Sequence, residues 1–178
     1  LIYGFTKIKI WELDGSTPIP TAIQIRFTIV VPFRNEAANL PLLLDSISML
    51  HYPKERFEVI LVDDESEEVF NPQCSPFSIR IIKNNRVSNS PKKDAISTAI
   101  PFVSSEWIIT TDADCVVPKN WLSTLDNYIQ SSNVNMVAGA VTYDCKSSFL
   151  HHFQQLDLAS LQGATIGSFG IGKGFMCN

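Results

Sequence analysis

The stretch Phe27-Thr-Ile-Val-Val-Pro-Phe-Arg-Asn-Glu36 decides how this chain folds. Its first half is a short, β-branched apolar run, which is typical of a strand buried on both faces in a parallel sheet. The run ends at Pro32 and passes into Asn35 and Glu36, two polar residues at the point where the strand ends. A helical pattern follows directly. The stretch therefore predicts the first βα unit of an α/β protein.

Strands and helices continue to alternate over most of the chain. Strands are predicted at 27–32, 57–62, 79–83, 107–111 and 136–143. Helices are predicted at 37–50, from Ser90 as N-cap and Pro91 to about 100, from Pro118 to 129, and around 149–160, with a loop at 66–78. This order predicts an α/β fold in which a mostly parallel sheet is covered by helices on both faces.

Composition limits the classes of function. The chain has 178 residues, 45% of them hydrophobic and 18% charged, which fits one globular domain with a sizeable core. Fourteen Lys and Arg against eighteen Asp and Glu give a net charge of −4, so no basic surplus is available for a nucleic-acid backbone. Four cysteines without a CxxC pair argue against a structural zinc site and predict reduced thiols.

Acidic residues follow three of the predicted strands. Asn35 and Glu36 follow the first, Asp63 and Asp64 the second, and the sequence Asp112-Ala-Asp114 the fourth. In open α/β sheets the ligand crevice lies outside the carboxyl ends of the strands, so these groups are expected to converge. Two carboxylates one residue apart at a strand end can share a divalent cation, and Mg²⁺ typically takes one or two carboxylates together with substrate phosphates.

Two other polar groups allow more than one interpretation. Asp63 and Asp64 can accept hydrogen bonds from the ring N–H and ribose hydroxyls of a nucleotide, or can belong to a solvated acidic loop with Glu65, Glu67 and Glu68. The adjacent residues 92 and 93 are lysines in the first turn of a helix, where the macrodipole disfavours cations. They fit a bound phosphate or a nearby carboxylate, and equally a pair of exposed solubilising residues.

Four motifs together resemble the family 2 glycosyltransferases with the Rossmann-like GT-A fold. They are Val30-Val-Pro-Phe-Arg-Asn-Glu36, Val62-Asp-Asp-Glu-Ser66, Lys92-Lys-Asp-Ala-Ile96 and Thr111-Asp-Ala-Asp-Cys115. The resemblance implies transfer of a sugar from a nucleoside diphosphate sugar, by family habit a UDP-sugar, to a lipid, polysaccharide or other hydroxyl acceptor. It implies a nucleotide site and a Mn²⁺ or Mg²⁺ site, with the metal on Asp112 and Asp114. The implied nucleotide-binding residues are Pro32, Asn35, Glu36, Asp63, Asp64, Lys92 and Asp112.

The sequence departs from the family pattern at two motifs. Glu65 stands where the family usually has glycine after the aspartate pair, and Pro91 stands where it usually has glycine before the lysine. The family's general base and acceptor motifs are expected beyond Asn178. The resemblance therefore implies a chain that binds the donor but transfers sugar slowly.

The expected organisation has three parts. Residues 1–26 form an N-terminal stub, residues 27–145 the nucleotide-sugar-binding domain, and residues 146–178 the start of an incomplete acceptor half. The stub is either an irregular or edge-strand segment or the cytoplasmic exit of a membrane helix, with Lys7, Lys9 and Trp11 at the interface. The second alternative predicts a full-length protein on the cytoplasmic side of a membrane.

The glycine-rich tail from Gly163 is predicted to be a loop. Its stretch Gly167–Lys173 matches the start of a Walker A motif, but Gly174 stands where Ser or Thr should hold Mg²⁺. Two further classes of function stay open on the sequence. One is a non-catalytic sugar-nucleotide-binding module. The other is a phosphoacceptor signalling domain, which needs a lysine after its last strand, and only Lys146 lies near that position.

Overall fold

A computed structural model describes residues 22–72, 74–132, 134–143 and 148–170 of the chain. Among these, residues 22–132 belong to one compact unit and residues 134–170 to another. Residues 1–21 of the predicted N-terminal stub, which include Lys7, Lys9 and Trp11, lie outside the described residues, as do Lys146 and Lys173. Residues 22–26 are described, and Ile25 packs in the core of the first unit. No helix in the described ranges is both long and apolar enough to cross a membrane.

The first unit is built on a four-stranded parallel sheet. Its strands are β1 (Phe27–Phe33), β2 (Phe57–Asp63), β3 (Ser78–Lys83) and β4 (Trp107–Thr110), in the order β3-β2-β1-β4. Every paired strand is parallel, and Phe27 of β1 lies opposite both Phe57 of β2 and Trp107 of β4. The predicted parallel sheet is therefore confirmed, with the chain order reversing between β1 and β4.

Helices cover both faces of this sheet. They are α1 (Leu40–Ser48), α2 (Pro91–Ala99) and α3 (Trp121–Ser131), with short 3₁₀ turns at Lys54–Arg56 and Ile100–Phe102. Alternate residues of the central strands face opposite sides, because side chains along a strand alternate. One core contains Ile29, Val31, Val59 and Leu61 with α1 and Leu122 of α3; the other contains Val30, Ile60 and Val62 with Ala95 and Ala99 of α2.

Two helices begin three residues later than predicted. The first was expected from residue 37, but residues 37–39 form a turn in which the Glu36 carbonyl accepts N–H groups from Asn39 and Leu40, both at 3.0 Å. The helix expected from Pro118 begins at Trp121, whose N–H donates to the Pro118 carbonyl. Ser90 is the N-cap residue of α2, but its side chain makes no capping hydrogen bond.

The predicted fifth strand at 136–143 is wrong. These residues form no strand in the second unit, although their composition is β-branched and apolar. The amide of Gln162 hydrogen-bonds to both backbone groups of Val141, at 3.1 Å to its N–H and 2.5 Å to its carbonyl. A side chain thus satisfies the backbone groups that a neighbouring strand would pair in a sheet.

The second unit also contains α4 (Phe149–Gly170), which is longer than the helix predicted around 149–160. The prediction of a loop from Gly163 is therefore wrong as far as Gly170. Thr165 donates its hydroxyl to the Leu161 carbonyl at 3.0 Å, within the helix. Residues 171–178 lie outside the described residues, so the rest of the predicted loop stays a prediction.

Candidate functional site

The carboxyl ends of the four strands bring the predicted polar residues to one edge of the sheet. Pro32 lies in β1 opposite Val62, and Asn35 and Glu36 follow the end of that strand. Asp63 is the last residue of β2, and Asp64 comes directly after it. Because all the strands are parallel, the residues that follow β4 lie at this edge too.

Asn35 connects the turn after β1 to the loop after β2. Its backbone N–H donates to the Ser66 hydroxyl at 2.9 Å, and its side-chain oxygen accepts the N–H of Glu67 at 2.9 Å. The residue has a φ of 56°, in the left-handed region where asparagine is enriched among non-glycine residues. Asparagine suits this position because it tolerates the left-handed backbone and its side-chain oxygen accepts the Glu67 N–H.

The side chains of Glu36 and Asp63 each accept one local hydrogen bond from the residues that the structure describes. A Glu36 carboxylate oxygen accepts from the Asn39 side-chain amide at 2.6 Å, at the beginning of α1. A carboxylate oxygen of Asp63 accepts the N–H of Ser66 at 3.0 Å, which shapes the loop after β2. Both side chains are half-buried. A carboxylate has about four acceptor positions, so each can accept further donors from a ligand.

Asp64 is buried, and its carboxylate accepts three hydrogen bonds from two side chains. Arg86 donates through Nε to one carboxylate oxygen at 2.7 Å and through a terminal nitrogen to the other. The Asn84 amide donates at 2.6 Å to the first of these oxygens. The Arg86 hydrogen bond lowers the pKa of Asp64 below its ordinary value, although burial acts in the opposite direction. Asp64 is therefore held as a carboxylate that positions Arg86 at this edge.

Asp94 of α2 holds the loop after β3 in place through hydrogen bonds. The Asp94 carboxylate accepts the N–H groups of Val87 and Ser88, at 2.9 and 2.7 Å, together with the Ser88 hydroxyl. Chiefly the hydrogen bond from the Ser88 N–H lowers the pKa of Asp94. Neither Asp94 nor Arg86 was predicted from the sequence to be a site residue. Arg86 could have been found by the rule used for the other residues, because it follows the end of β3 by three positions.

Lys92 and Asp112 connect the first turn of α2 to the end of β4. Their side chains lie 2.6 Å apart, from Nζ to a carboxylate oxygen, and both are largely exposed. This contact agrees with the sequence-based alternative that a nearby carboxylate offsets the lysine charge at the beginning of the helix.

Asp112 and Asp114 flank a buried residue. Ala113 is 4% exposed and packs in the core, while both carboxylates are exposed at the edge of the sheet. Asp114 has no hydrogen-bond or ion-pair partner among the residues that the structure describes. The packing of Ala113 therefore leaves both flanking carboxylates at the surface.

The donor chemistry of this pair fits a hard divalent cation. Carboxylate oxygens are the ligands that Mg²⁺ and Mn²⁺ prefer. The described residues contain no group of three or more His, Cys, Asp or Glu side chains placed to hold a metal. A cation on Asp112 and Asp114 needs its remaining ligands from substrate phosphates and water, as is usual for Mg²⁺.

A groove of about 460 Å³ lies away from this site. Phe27, Phe57 and Ser78 line it at the amino ends of the strands, and three basic residues, Arg26, Lys54 and Arg56, line it as well. None of the predicted site residues lines it. The chemistry indicated by the sequence thus belongs to an open surface at the carboxyl edge.

Solved structures and a curated relative resemble this chain. A mannosyltransferase from Pyrobaculum calidifontis in complex with GDP-Man and Mn²⁺ matches with a TM-score of 0.54 and 24% identity, over 80% of this chain and 43% of that one. TarS from S. aureus in complex with UDP-GlcNAc matches with a TM-score of 0.51 and 21% identity, over 65% of this chain and 38% of that one. These similarities show the predicted GT-A fold.

An uncharacterized glycosyltransferase from Haemophilus influenzae is 30% identical over 112 residues, which is 62% of this chain and 37% of that protein. The chain spans between about a fifth and two fifths of the length of the curated relatives it matches. The family model described as glycosyl transferase family 2 matches residues 28–173, a range that contains all four motifs. The chain belongs to glycosyl transferase family 2.

Proposed function

We propose that the carboxyl edge of this sheet binds a nucleoside diphosphate sugar, and that UDP is its nucleotide. The observation that carries the proposal is the presence of Asp112, Asp114 and Lys92 beside the connected turns after β1 and β2. This edge thus offers hydrogen-bond acceptors for a nucleoside in the two turns, the ammonium group of Lys92 for a diphosphate, and the carboxylates of Asp112 and Asp114 for a metal. The choice of UDP follows from the family resemblance of the four motifs; of the two similar solved structures, TarS is in complex with UDP-GlcNAc and the mannosyltransferase with GDP-Man.

The nucleoside part of the site is assigned to the turns after β1 and β2. Asn35 and Asp63 fix the shape of these turns through their hydrogen bonds, and Pro32, one residue before the end of β1, has no backbone N–H to donate. Glu36 and Asp63 are half-buried carboxylates that can accept from ribose hydroxyls or a ring N–H. Asp64 has the same proposed role through the one of its roughly four acceptor positions that Arg86 and Asn84 leave open.

The diphosphate part of the site is assigned to Lys92 and the two aspartates after β4. Lys92 supplies a cation at the beginning of α2, where backbone N–H groups also favour an anion. Asp112 and Asp114 are the residues that would hold Mn²⁺ or Mg²⁺. When bound, such a metal stabilises the negative charge that develops on the leaving diphosphate.

The general base and the residues that bind the acceptor substrate are assigned to positions outside these 178 residues. The proposed acceptor is a hydroxyl of a lipid, a polysaccharide or another molecule, and a carboxylate base would remove its proton. Without that base the chain is expected to transfer sugar slowly, because general-base catalysis typically contributes about 10²–10⁴-fold. Association of the full-length protein with the cytoplasmic side of a membrane stays a prediction from the N-terminal sequence.

A UDP-release assay tests the proposal. The 178-residue chain and a chain extended past Asn178 are incubated with a panel of UDP-sugars, Mn²⁺ and candidate hydroxyl acceptors. We expect slow release of UDP from the shorter chain and transfer by the longer one. The Asp114→Ala variant of the longer chain should lose activity, while Asp45→Ala, which removes an exposed carboxylate on α1, should keep it.

Two results would contradict the proposal in different ways. Full transfer by the 178-residue chain would show that the base lies within it. Binding of UDP by the longer chain without transfer to any acceptor or to water would favour a non-catalytic nucleotide-sugar-binding module.

A further inference from the structure

A lysine ammonium group already contacts one of the two carboxylates assigned to the metal. Nζ of Lys92 lies 2.6 Å from a carboxylate oxygen of Asp112. The two side chains are 61% and 55% exposed, so the contact is made at the protein surface. Exposed ion pairs are weak and are screened by salt, so this pair can exchange partners readily.

The position of Lys92 explains why it contacts Asp112. Lys92 lies in the first turn of α2, with Lys93 beside it, and the positive end of the helix disfavours both charges. The carboxylate of Asp112 offsets part of this repulsion. If the ammonium group of Lys92 leaves Asp112, it therefore needs contact with another anion near the amino end of α2 to offset the same repulsion.

Asp112 and Asp114 differ in this respect. The Asp112 carboxylate carries the lysine contact, whereas Asp114 has no such partner in the described part of the chain. A divalent cation that binds without nucleotide therefore finds Asp114 available and Asp112 already paired with Lys92, whose positive charge repels the cation. The described residues provide no third acidic, histidine or cysteine ligand to compensate.

We infer that Lys92 competes with the metal for the Asp112 carboxylate. When cation and nucleotide bind together, the ammonium group of Lys92 moves from Asp112 to the diphosphate. The inference rests on the proposed function. Lys92 opposes a metal that binds without nucleotide, because the ammonium group must then leave its carboxylate with no new anion to contact. With a diphosphate present, Lys92 moves from one anion to another and the opposition disappears. Metal and nucleotide therefore strengthen each other's binding, by the same factor in both directions.

Mn²⁺ binding in the absence of nucleotide tests the exchange directly. Free Mn²⁺ is measured by electron paramagnetic resonance during titration of the wild type, Lys92→Met and Lys93→Met. Lys93→Met is the matched control, because it removes the same charge from the same turn without breaking the contact to Asp112. We expect Lys92→Met to bind Mn²⁺ about two- to fivefold more tightly than the wild type, the range set by loss of an exposed ion pair. Lys93→Met should remain close to the wild type.

Nucleotide binding should change in the opposite direction. With Mn²⁺ at saturation, calorimetry should show that Lys92→Met binds UDP about tenfold more weakly, because a charge-assisted hydrogen bond to the diphosphate is lost. Melting temperatures of the three proteins without ligand should be similar, since both lysines are exposed.

Each other outcome has a definite meaning. Equal Mn²⁺ affinity in all three proteins, or weaker Mn²⁺ binding by Lys92→Met, would overturn the exchange. A Mn²⁺ difference without UDP binding by any of the proteins would support Lys92 as the competitor and contradict the proposed function. Absence of Mn²⁺ binding in every protein would contradict both.

Discussion

Two ion pairs at the same edge of the sheet differ in almost every physical respect. Asp64 is 7% exposed and receives two hydrogen bonds from Arg86 and one from Asn84. Lys92 and Asp112 share one contact and are both more than half exposed. The first pair joins the ends of β2 and β3, and the second joins α2 to the end of β4.

The difference indicates which pair maintains the structure and which can react to a ligand. A buried carboxylate with a bidentate arginine is expensive to leave unpaired, because the remaining charge stays without compensation. An exposed lysine–aspartate contact contributes little and can be replaced by water or by another ion. We therefore expect the Asp64–Arg86 pair to set the shape of the edge, and the Lys92–Asp112 pair to change when a ligand binds.

Removing the two carboxylates in turn should give the largest contrast in stability. Asp64→Ala removes three hydrogen bonds from Arg86 and Asn84, which keep only the longer contacts to Glu65 and to the Pro91 carbonyl, and should lower the free energy of unfolding by about 1–3 kcal/mol. Asp112→Ala should change it by less than about 0.5 kcal/mol, as is usual for an exposed position. Urea unfolding of both variants and the wild type measures these values. Equal destabilisation by the two substitutions would contradict the distinction between the pairs.

Lowering the pH should weaken the hydrogen bonds of the buried carboxylates Asp64 and Asp94 and so lower the stability of the protein. The folded-state pKa values of Asp64 and Asp94 lie below the ordinary 3.8. Their contribution to stability is therefore complete above about pH 5, and it is lost progressively as the pH falls through the ordinary value towards the lowered ones. Thermal melts of Asp94→Asn between pH 5 and pH 2 should show a smaller loss of stability than the wild type.

The neighbouring Asn89→Ala, which removes no charge, is the control and should keep the wild-type slope. An unchanged slope in Asp94→Asn would show that this carboxylate does not contribute to the acid sensitivity.

Replacing the left-handed Glu65 should have the smallest effect, and in the opposite direction. Glu65 has a φ of 62°, where an L-residue with a β-carbon is disfavoured and glycine is not. Its weak 3.5 Å contact with Arg86 is exposed, so little is lost with the side chain. Glu65→Gly should stabilise the protein by up to about 1 kcal/mol in urea unfolding. Glu68→Gly, on the same loop, should bring no such gain, and a gain of equal size there would refute the strain at Glu65.

The sequence was sufficient to predict the four strands of the parallel sheet and the edge that carries the candidate site. The apolar runs of β1 and β2 are buried on both faces, so their hydrophobicity alone identified them. The polar residues after each run could be assigned to one edge because parallel strands all end there. The departure at Glu65 was also visible, since a glycine is expected only where the backbone requires a positive φ.

Contacts between residues distant along the chain could not be predicted in this way. Arg86 and Asn84 engage Asp64 across about twenty positions, and Asp94 satisfies backbone groups in a loop without regular structure. The segment 136–143 has the composition of a strand, but composition does not reveal whether a neighbouring strand is available to pair with it. Gln162 meets that need at Val141 instead, through a contact that no local pattern indicates.

The central claim is that Asp112 and Asp114 make nucleotide binding depend on a divalent metal. Calorimetric titration of UDP into the wild type, Asp114→Ala and Asp45→Ala, each with Mn²⁺ and with EDTA, tests it most directly. We predict that Mn²⁺ strengthens UDP binding to the wild type and to Asp45→Ala, and that Asp114→Ala loses roughly tenfold or more of the affinity measured with Mn²⁺. Equal UDP affinity of the wild type and Asp114→Ala in Mn²⁺ would contradict the account.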